Sequence, residues 1–154
     1  MTNLETIAIV PELLAGVWWD IDDAITGRGN ARTCSPRHQP TVGRACLLIA
    51  PTLADGYIKA REEAMAPFLP EIRAAKGITP EGIARRVRGA IAAKAHLKGW
   101  SGIELGGEVL TYSEDAAVRL LSDPRFEILL RLVENAAASE QALIAQEQEE
   151  ASGN

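Results

Sequence analysis

Hydrophobic and polar positions nearly alternate early in the chain and recur every three to four residues later, which predicts strands first and helices afterwards. Gly16-Val17-Trp18-Trp19-Asp20-Ile21-Asp22 carries aromatic and β-branched residues in the strand pattern. On such a strand Val17, Trp19 and Ile21 share one face and Trp18, Asp20 and Asp22 the other. Trp19 is therefore assigned to the core, and Trp18 is expected half exposed. The mostly apolar Asn3 to Leu14, interrupted by Pro11, precedes this strand. A second apolar run, Cys46-Leu47-Leu48-Ile49-Ala50, stops at Pro51, and the two runs are expected to pair as a two-stranded ribbon.

Helical spacing takes over from there. Tyr57, Ile58, Arg61, Met65, Phe68, Leu69 and Ile72 predict a helix capped by Thr52 or Asp55 and running to Lys76, with Gly77 as its stop. Pro67 and Pro70 each remove a helical hydrogen bond and clash with the preceding turn, so this helix should break near Ala66. Thr79-Pro80-Glu81 is a start signal for a second helix: an N-cap hydroxyl, Pro at the first position and an acid beside the positive end of the dipole. Ile83, Val87, Ala90, Ile91 and Leu97 form its apolar stripe, and it is expected to run to about Lys98, where Gly99 ends it and Trp100 folds back.

Trp100 to Ala136 parses as a structured module. A Gly106-Gly107 turn reverses the chain, Val109 to Tyr112 runs extended, and Ser113 caps a helix. Asp123-Pro124 is a second start signal, so the chain breaks after Ser122 and two short helices meet at a corner. The last helix turns Phe126, Leu129, Leu130, Val133, Ala137 and Ile144 inward, and a polar tail follows from residue 146, expected to be disordered.

The class predicted is mainly α with a small N-terminal β-ribbon (α+β), a single compact helical domain over residues 1–145. The chain has 154 residues, 47% of them hydrophobic and 24% charged, which is enough for a real core. The net charge of −5 is unevenly spread: from Glu134 onward there are five acidic residues and no basic one, whereas Arg28 to Arg44 holds four arginines, one histidine and no acid. Gly27, Gly29, Gly43, Pro36 and Pro40 sit among those arginines, so residues 23–45 are expected to form a flexible basic loop. An acidic whole argues against general nucleic-acid binding, which needs many simultaneous phosphate contacts. No run approaches the ~20 apolar residues of a membrane-spanning helix, and no basic residue precedes the apolar N-terminal run, so a soluble, unexported protein is expected.

Candidate chemistry is thin. Cys34, His38, Cys46 and the distant His96 lack a second pair at metal-ligand spacing, so no metal is expected and the thiols are read as reduced. A nucleophile would need a positioned histidine, but His38 lies in the loop and His96 among lysines on a helix flank, so no catalytic residue is assigned. Gly27-Arg28-Gly29-Asn30 has neither the spacing nor the ending of a phosphate-binding loop, and no cofactor is expected. Asp20, Asp22 and Asp23 are read as a solvated face at a strand end. The cluster Arg85, Arg86, Arg88 stands out, because arginine combines a planar hydrogen-bonding fork with an apolar stem suited to interfaces.

Gly16-Val17-Trp18-Trp19-Asp20, Leu48-Ile49-Ala50-Pro51 before the Tyr57 to Phe68 helix, and W-S-G-I…G-G-E…Y-S-E-D-A-A…L-L-S-D-P-R-F, in this order and with a Glu-rich end, resemble the tail assembly chaperones of long-tailed bacteriophages and prophages. The resemblance covers most of the chain. It implies a non-enzymatic, mainly helical protein that binds the tape measure protein, keeps it soluble while tail-tube subunits polymerise around it, and is absent from the mature virion. It also implies a frameshifted longer form of the same product as a partner, and self-association into a homo-oligomer is a further expectation. The departure is the basic insertion at Asp23 to Ala45, where such proteins pass between the two strands by a short turn. Under this reading Gly16, Trp18, Trp19, Trp100, Tyr112 and Phe126 are a structural signature. A client helix would be bound by Arg85, Arg86, Arg88, Ile91, Leu129 and Val133, in a groove between the Ile83 to Leu97 and Phe126 to Val133 helices. The rival classes are a structural head–tail connector or tail-completion protein, which would remain in particles, and a nucleic-acid-binding regulator using the basic loop and the arginine face.

Overall fold

The computed structural model describes residues 16–26, 35–37, 39–52, 56–76 and 81–139. The two apolar runs form strands β1 (Val17–Asp20) and β3 (Cys46–Ile49), which pair antiparallel with Trp19 opposite Leu47. The ribbon is wider than expected. From the basic insertion, helix α1 (Asp22–Thr26) and strand β2 (Ser35–Arg37) emerge, and β2 pairs with the outer edge of β1. On the other side β4 (Leu97–Ser101) pairs with β3, giving a four-stranded antiparallel sheet in the order β2-β1-β3-β4.

Strand β4 corrects the expectation of a helix running to Lys98. Helix α4 (Glu81–Ile91) widens into a π turn at Ala92–His96 and becomes extended at Leu97. Sequence reading misses this because Ala92, Ala93 and Ala95 favour a continuing helix; their small side chains let the widened turn bury itself against neighbouring elements. Leu97 still faces the core, but from a strand. The register then places Trp19, Leu47 and Trp100 side by side on the core face, all buried, while the half-buried Trp18 and Leu48 lie on the opposite face.

The predicted break near Ala66 is present. Helix α2 (Tyr57–Met65) passes into a 3-10 turn at Ala66–Phe68 and then into α3 (Leu69–Ala74), with the two prolines at the second positions of the turn and of α3. Thr52 is not the cap: Gly56 holds that position, and the Thr52 N–H donates instead to Ala137 O at 3.2 Å. Asp55, Gly77, Thr79, Pro80, Ile144, the N-terminal apolar run and the polar tail lie outside the described residues.

The module after Trp100 folds as its residues dictate. Strands β5 (Glu104–Leu105) and β6 (Glu108–Val109) form a hairpin, and Gly106 and Gly107 both take positive φ, as a two-residue turn matching strand twist requires. Helix α5 (Glu114–Ser122) is capped by Ser113, whose Oγ accepts from Ala116 N at 3.0 Å. Asp123 caps a 3-10 turn (Pro124–Phe126), and α6 (Glu127–Ala138) follows. One core joins sheet and helices, running from Val17 and Trp19 through Leu97 and Leu121 to Leu130, Leu132 and Val133. No helix among the described residues is long and apolar enough to cross a membrane.

Candidate interaction surface

The corner between α5 and α6 is held from α4. Arg85 Nη1 donates to Leu121 O at 2.6 Å, a carbonyl that the end of α5 leaves without a helical partner, and Nη2 donates to Asp123 O at 3.3 Å, which also accepts from Phe126 N at 3.0 Å. Its Nε sits 2.6 Å from Glu127 Oε2, and the side chain is 14% exposed. Arg88, one turn further on, pairs with Glu134 at 2.6 Å and with Glu127 at 3.4 Å. Partial burial opposes the charge on Glu127, but Arg85, Arg131 and Arg88 together overcome it and hold the carboxyl below its ordinary range. Arg86 lies over the Phe68 ring, 5.1 Å from its centroid.

These contacts occupy part of the expected binding face within the fold itself. Arg85 and Arg88 are engaged within the fold, Val133 is 0% exposed, and the ion pairs close the boundary between α4 and α6 where a groove was expected. Ile91 and Leu129 are half-buried. Residue spacing identifies which arginines share a helix face but carries no information on the carboxylates and carbonyls that other elements bring to them.

The signature residues are packed. Trp100 meets Tyr112 edge-on at 5.0 Å; its indole N–H donates to Leu110 O at 2.7 Å, and the Tyr112 hydroxyl donates to Leu97 O at 2.9 Å. Trp19 is buried, Trp18 and Phe126 are half-buried, and Gly16 has φ 138° with Leu48 Cδ1 2.9 Å from where a β-carbon would stand.

Two polar residues lie deeper than their neighbours in sequence suggested. Asp20 is 7% exposed; its Oδ2 accepts from Arg44 Nε at 2.6 Å, while Arg44 also reaches Asp23 at 3.1 Å. Asp22 Oδ1 accepts from Ala45 N at 3.0 Å, so this acidic group organises the turn leading into β3 and is not a solvated face. His96 is 5% exposed, not on a flank. Its ring stacks on Tyr57 at 5.3 Å, and its Nδ1 lies 3.1 Å from Ala50 O, which makes that nitrogen the protonated one.

Burial pushes the His96 pKa below its ordinary 6.5, reinforced by the Lys98 charge and opposed by the Ala50 hydrogen bond and Glu134. The unfolded chain therefore binds a proton that the fold resists. Stability should fall as pH drops below about 6.5, ahead of any loss from Asp123 and Glu127, whose depressed carboxyls act only below their ordinary 3.8 and 4.5. Thermal melts between pH 7 and 5 should show this slope, and His96→Gln should flatten it.

Cys46 is fully buried, and burial raises its pKa, keeping it a thiol. Cys34 and His38 lie outside the described residues, among which no group of three or more His, Cys, Asp or Glu is placed to hold a metal ion.

An apolar groove of about 250 Å³ lies open to solvent between the β5–β6 hairpin, α5 and the 3-10 turn. Leu105, Leu110, Ala116, Leu120 and Phe126 supply its apolar surface, with Arg119, Asp123 and Arg125 beside them. Leu105 is 47% exposed. None of the residues assigned to a binding face from sequence lines it. The signal was present in Leu105 and Leu110, apolar residues on either side of the Gly-Gly turn that have no helical stripe to join, whereas Phe126 reads as part of the inward stripe of the last helix.

The model of one family, described as YdaY prophage protein, matches residues 53–154, about two thirds of the chain, including the whole groove. No curated protein matches. No solved structure matches either.

Proposed function

Because the chain belongs to the YdaY prophage protein family, we propose that this prophage protein is a non-enzymatic tail assembly chaperone, binding the tape measure protein and keeping it soluble while tail-tube subunits polymerise around it. It acts in the cytoplasm of the bacterial host and is absent from the finished virion. The resemblance of Trp100 to Phe126 to such chaperones motivates the reading. The observation that carries it is the way this stretch folds: its aromatic residues are used in packing, and the same stretch leaves an apolar groove open to solvent. A long client with apolar helical stripes is shielded by many copies of a small protein, each making a weak contact, because the sites on one chain act multivalently.

The arginines bear on the rival reading as a nucleic-acid-binding regulator. Arg44, Arg85 and Arg88 are paired with carboxylates, which leaves them poorly placed to meet phosphates. Co-expression with the tape measure protein of the same prophage tests the proposal. The long protein should stay soluble and co-purify with this chain. Equal aggregation with and without it overturns the chaperone reading, and recovery of the chain in finished particles points to a connector or tail-completion protein.

A further inference from the structure

The charges around the groove are not balanced. Asp123 chelates Arg125, with Arg125 Nη2 2.7 Å and Nε 3.0 Å from Asp123 Oδ2, so those two cancel. Arg119 stands exposed on α5 with no ion pair among the described residues. The groove thus offers an apolar floor with one uncompensated guanidinium at its rim. Its volume of about 250 Å³ has room for one or two Leu-sized side chains, the knobs that a helix presents at i and i+3 or i+4.

We infer that this groove binds an amphipathic helix carrying a carboxylate beside its apolar stripe, the apolar side chains entering between Leu105, Leu120 and Phe126 and the carboxylate meeting Arg119. This rests on the reading of the protein as a helix-binding assembly factor and adds the chemistry of the helix it selects. An apolar side chain entering the groove covers the exposed part of Leu105 and Phe126. The carboxylate adds a fork-shaped hydrogen-bonded pair that an amine in the same place would replace with repulsion. A Lys-flanked helix of the same apolar pattern is therefore the poorer ligand.

The test is an amide chemical-shift titration of the full chain with two synthetic helical peptides of identical Leu stripe, one flanked by Glu and one by Lys. The Glu-flanked peptide should move the amides of Leu105, Leu110, Arg119 and Phe126 and bind about three- to fivefold more tightly, the scale of one solvent-accessible ion pair. Arg119→Glu should reverse the preference, and Leu105→Glu should abolish both titrations; both positions are exposed, and a well-dispersed spectrum of each variant checks that it folds. Should Leu105→Glu fail to fold, the reversal by Arg119→Glu decides alone. Equal binding of the two peptides, no binding, or shifts mapping elsewhere overturns the inference, as does dimerisation of the protein alone that Leu105→Glu dissolves, which makes the occupant a second copy. Co-expression with the tape measure protein reads out separately. If the wild type rescues that client and Leu105→Glu and Arg119→Glu rescue it equally, the groove inference falls while the chaperone reading stands. If the peptides bind as expected but the client is not rescued, the chaperone reading falls alone.

Discussion

Gly89→Ala is expected to destabilise the protein by about 2 kcal/mol or more, although the same change inside an exposed helix is worth about 1 kcal/mol of stabilisation. The reason is the closeness of α4 to α5. A β-carbon at Gly89 would run into the backbone of Leu121, against its carbonyl oxygen and 2.7 Å from its carbonyl carbon, and would lie 2.9 Å from Ser122 Cα. Backbone atoms cannot swing aside as the tip of a side chain does, so the helices must separate, and the buried Leu120, Leu121 and Val87 lose packing with them. Gly82, on the same helix, has nothing within 4 Å of its virtual β-carbon. Gly82→Ala should therefore gain about 0.5 to 1 kcal/mol by restricting the unfolded chain. Urea denaturation of the two variants checks the opposite signs; a stable Gly89→Ala protein would mean that the two helices do not approach as described.

Much of the architecture was legible in the sequence because local chemistry decides it. The alternation around Trp19, the prolines at 67 and 70, the Gly-Gly turn and the caps Ser113 and Asp123 act over a few residues, and the fold obeys each of them. The sheet was underestimated where pairing depends on distant partners. Strand β4 follows a run of alanines and histidine that suits a helix equally well, and it becomes a strand because Leu47 and Cys46 offer it an open edge and Tyr112 covers Leu97 from the other side. In the same way, Ser35–Arg37 has no strand pattern of its own and takes its conformation from the edge of β1.

The surroundings of the candidate surface residues were harder to read, for a related reason. A row of arginines on a helix looks identical in sequence whether it meets water, a partner or its own chain. Here Glu127 and Glu134, about forty residues on in the sequence, arrive beside Arg85 and Arg88 only once α5 and α6 have turned the corner. Conversely, Leu105 is an isolated apolar residue in the sequence and Phe126 reads as part of a helical stripe, and the two become one surface only in three dimensions.

Arg85→Ala should in turn cost about 2 kcal/mol, the largest loss expected from any single arginine of the α4 cluster. It removes the donors to Leu121 O and Asp123 O, and it takes from Glu127 the cation that most favours its charge. Leu121 O sits where α5 ends, so without Arg85 it has no helical partner, whereas Asp123 O keeps the Phe126 N–H at 3.0 Å; an orphaned, part-buried acceptor is more costly than the net value of the bond it lost. Arg85→Lys recovers only part, since an ammonium cannot reach two carbonyls and a carboxylate from one planar fork. Arg86→Ala is the comparison: its contact is the face of Phe68 on an exposed side, worth less than about 1 kcal/mol. If chemical denaturation ranks Arg85→Ala well below Arg86→Ala, then reversing charge at Arg85, Arg86 and Arg88 together reports on folding before it reports on any client, and binding has to be probed at Arg119 and Leu105 instead. If Arg85→Ala is as stable as the wild type, the corner is held by the core alone, and the arginine face returns as a surface free to bind.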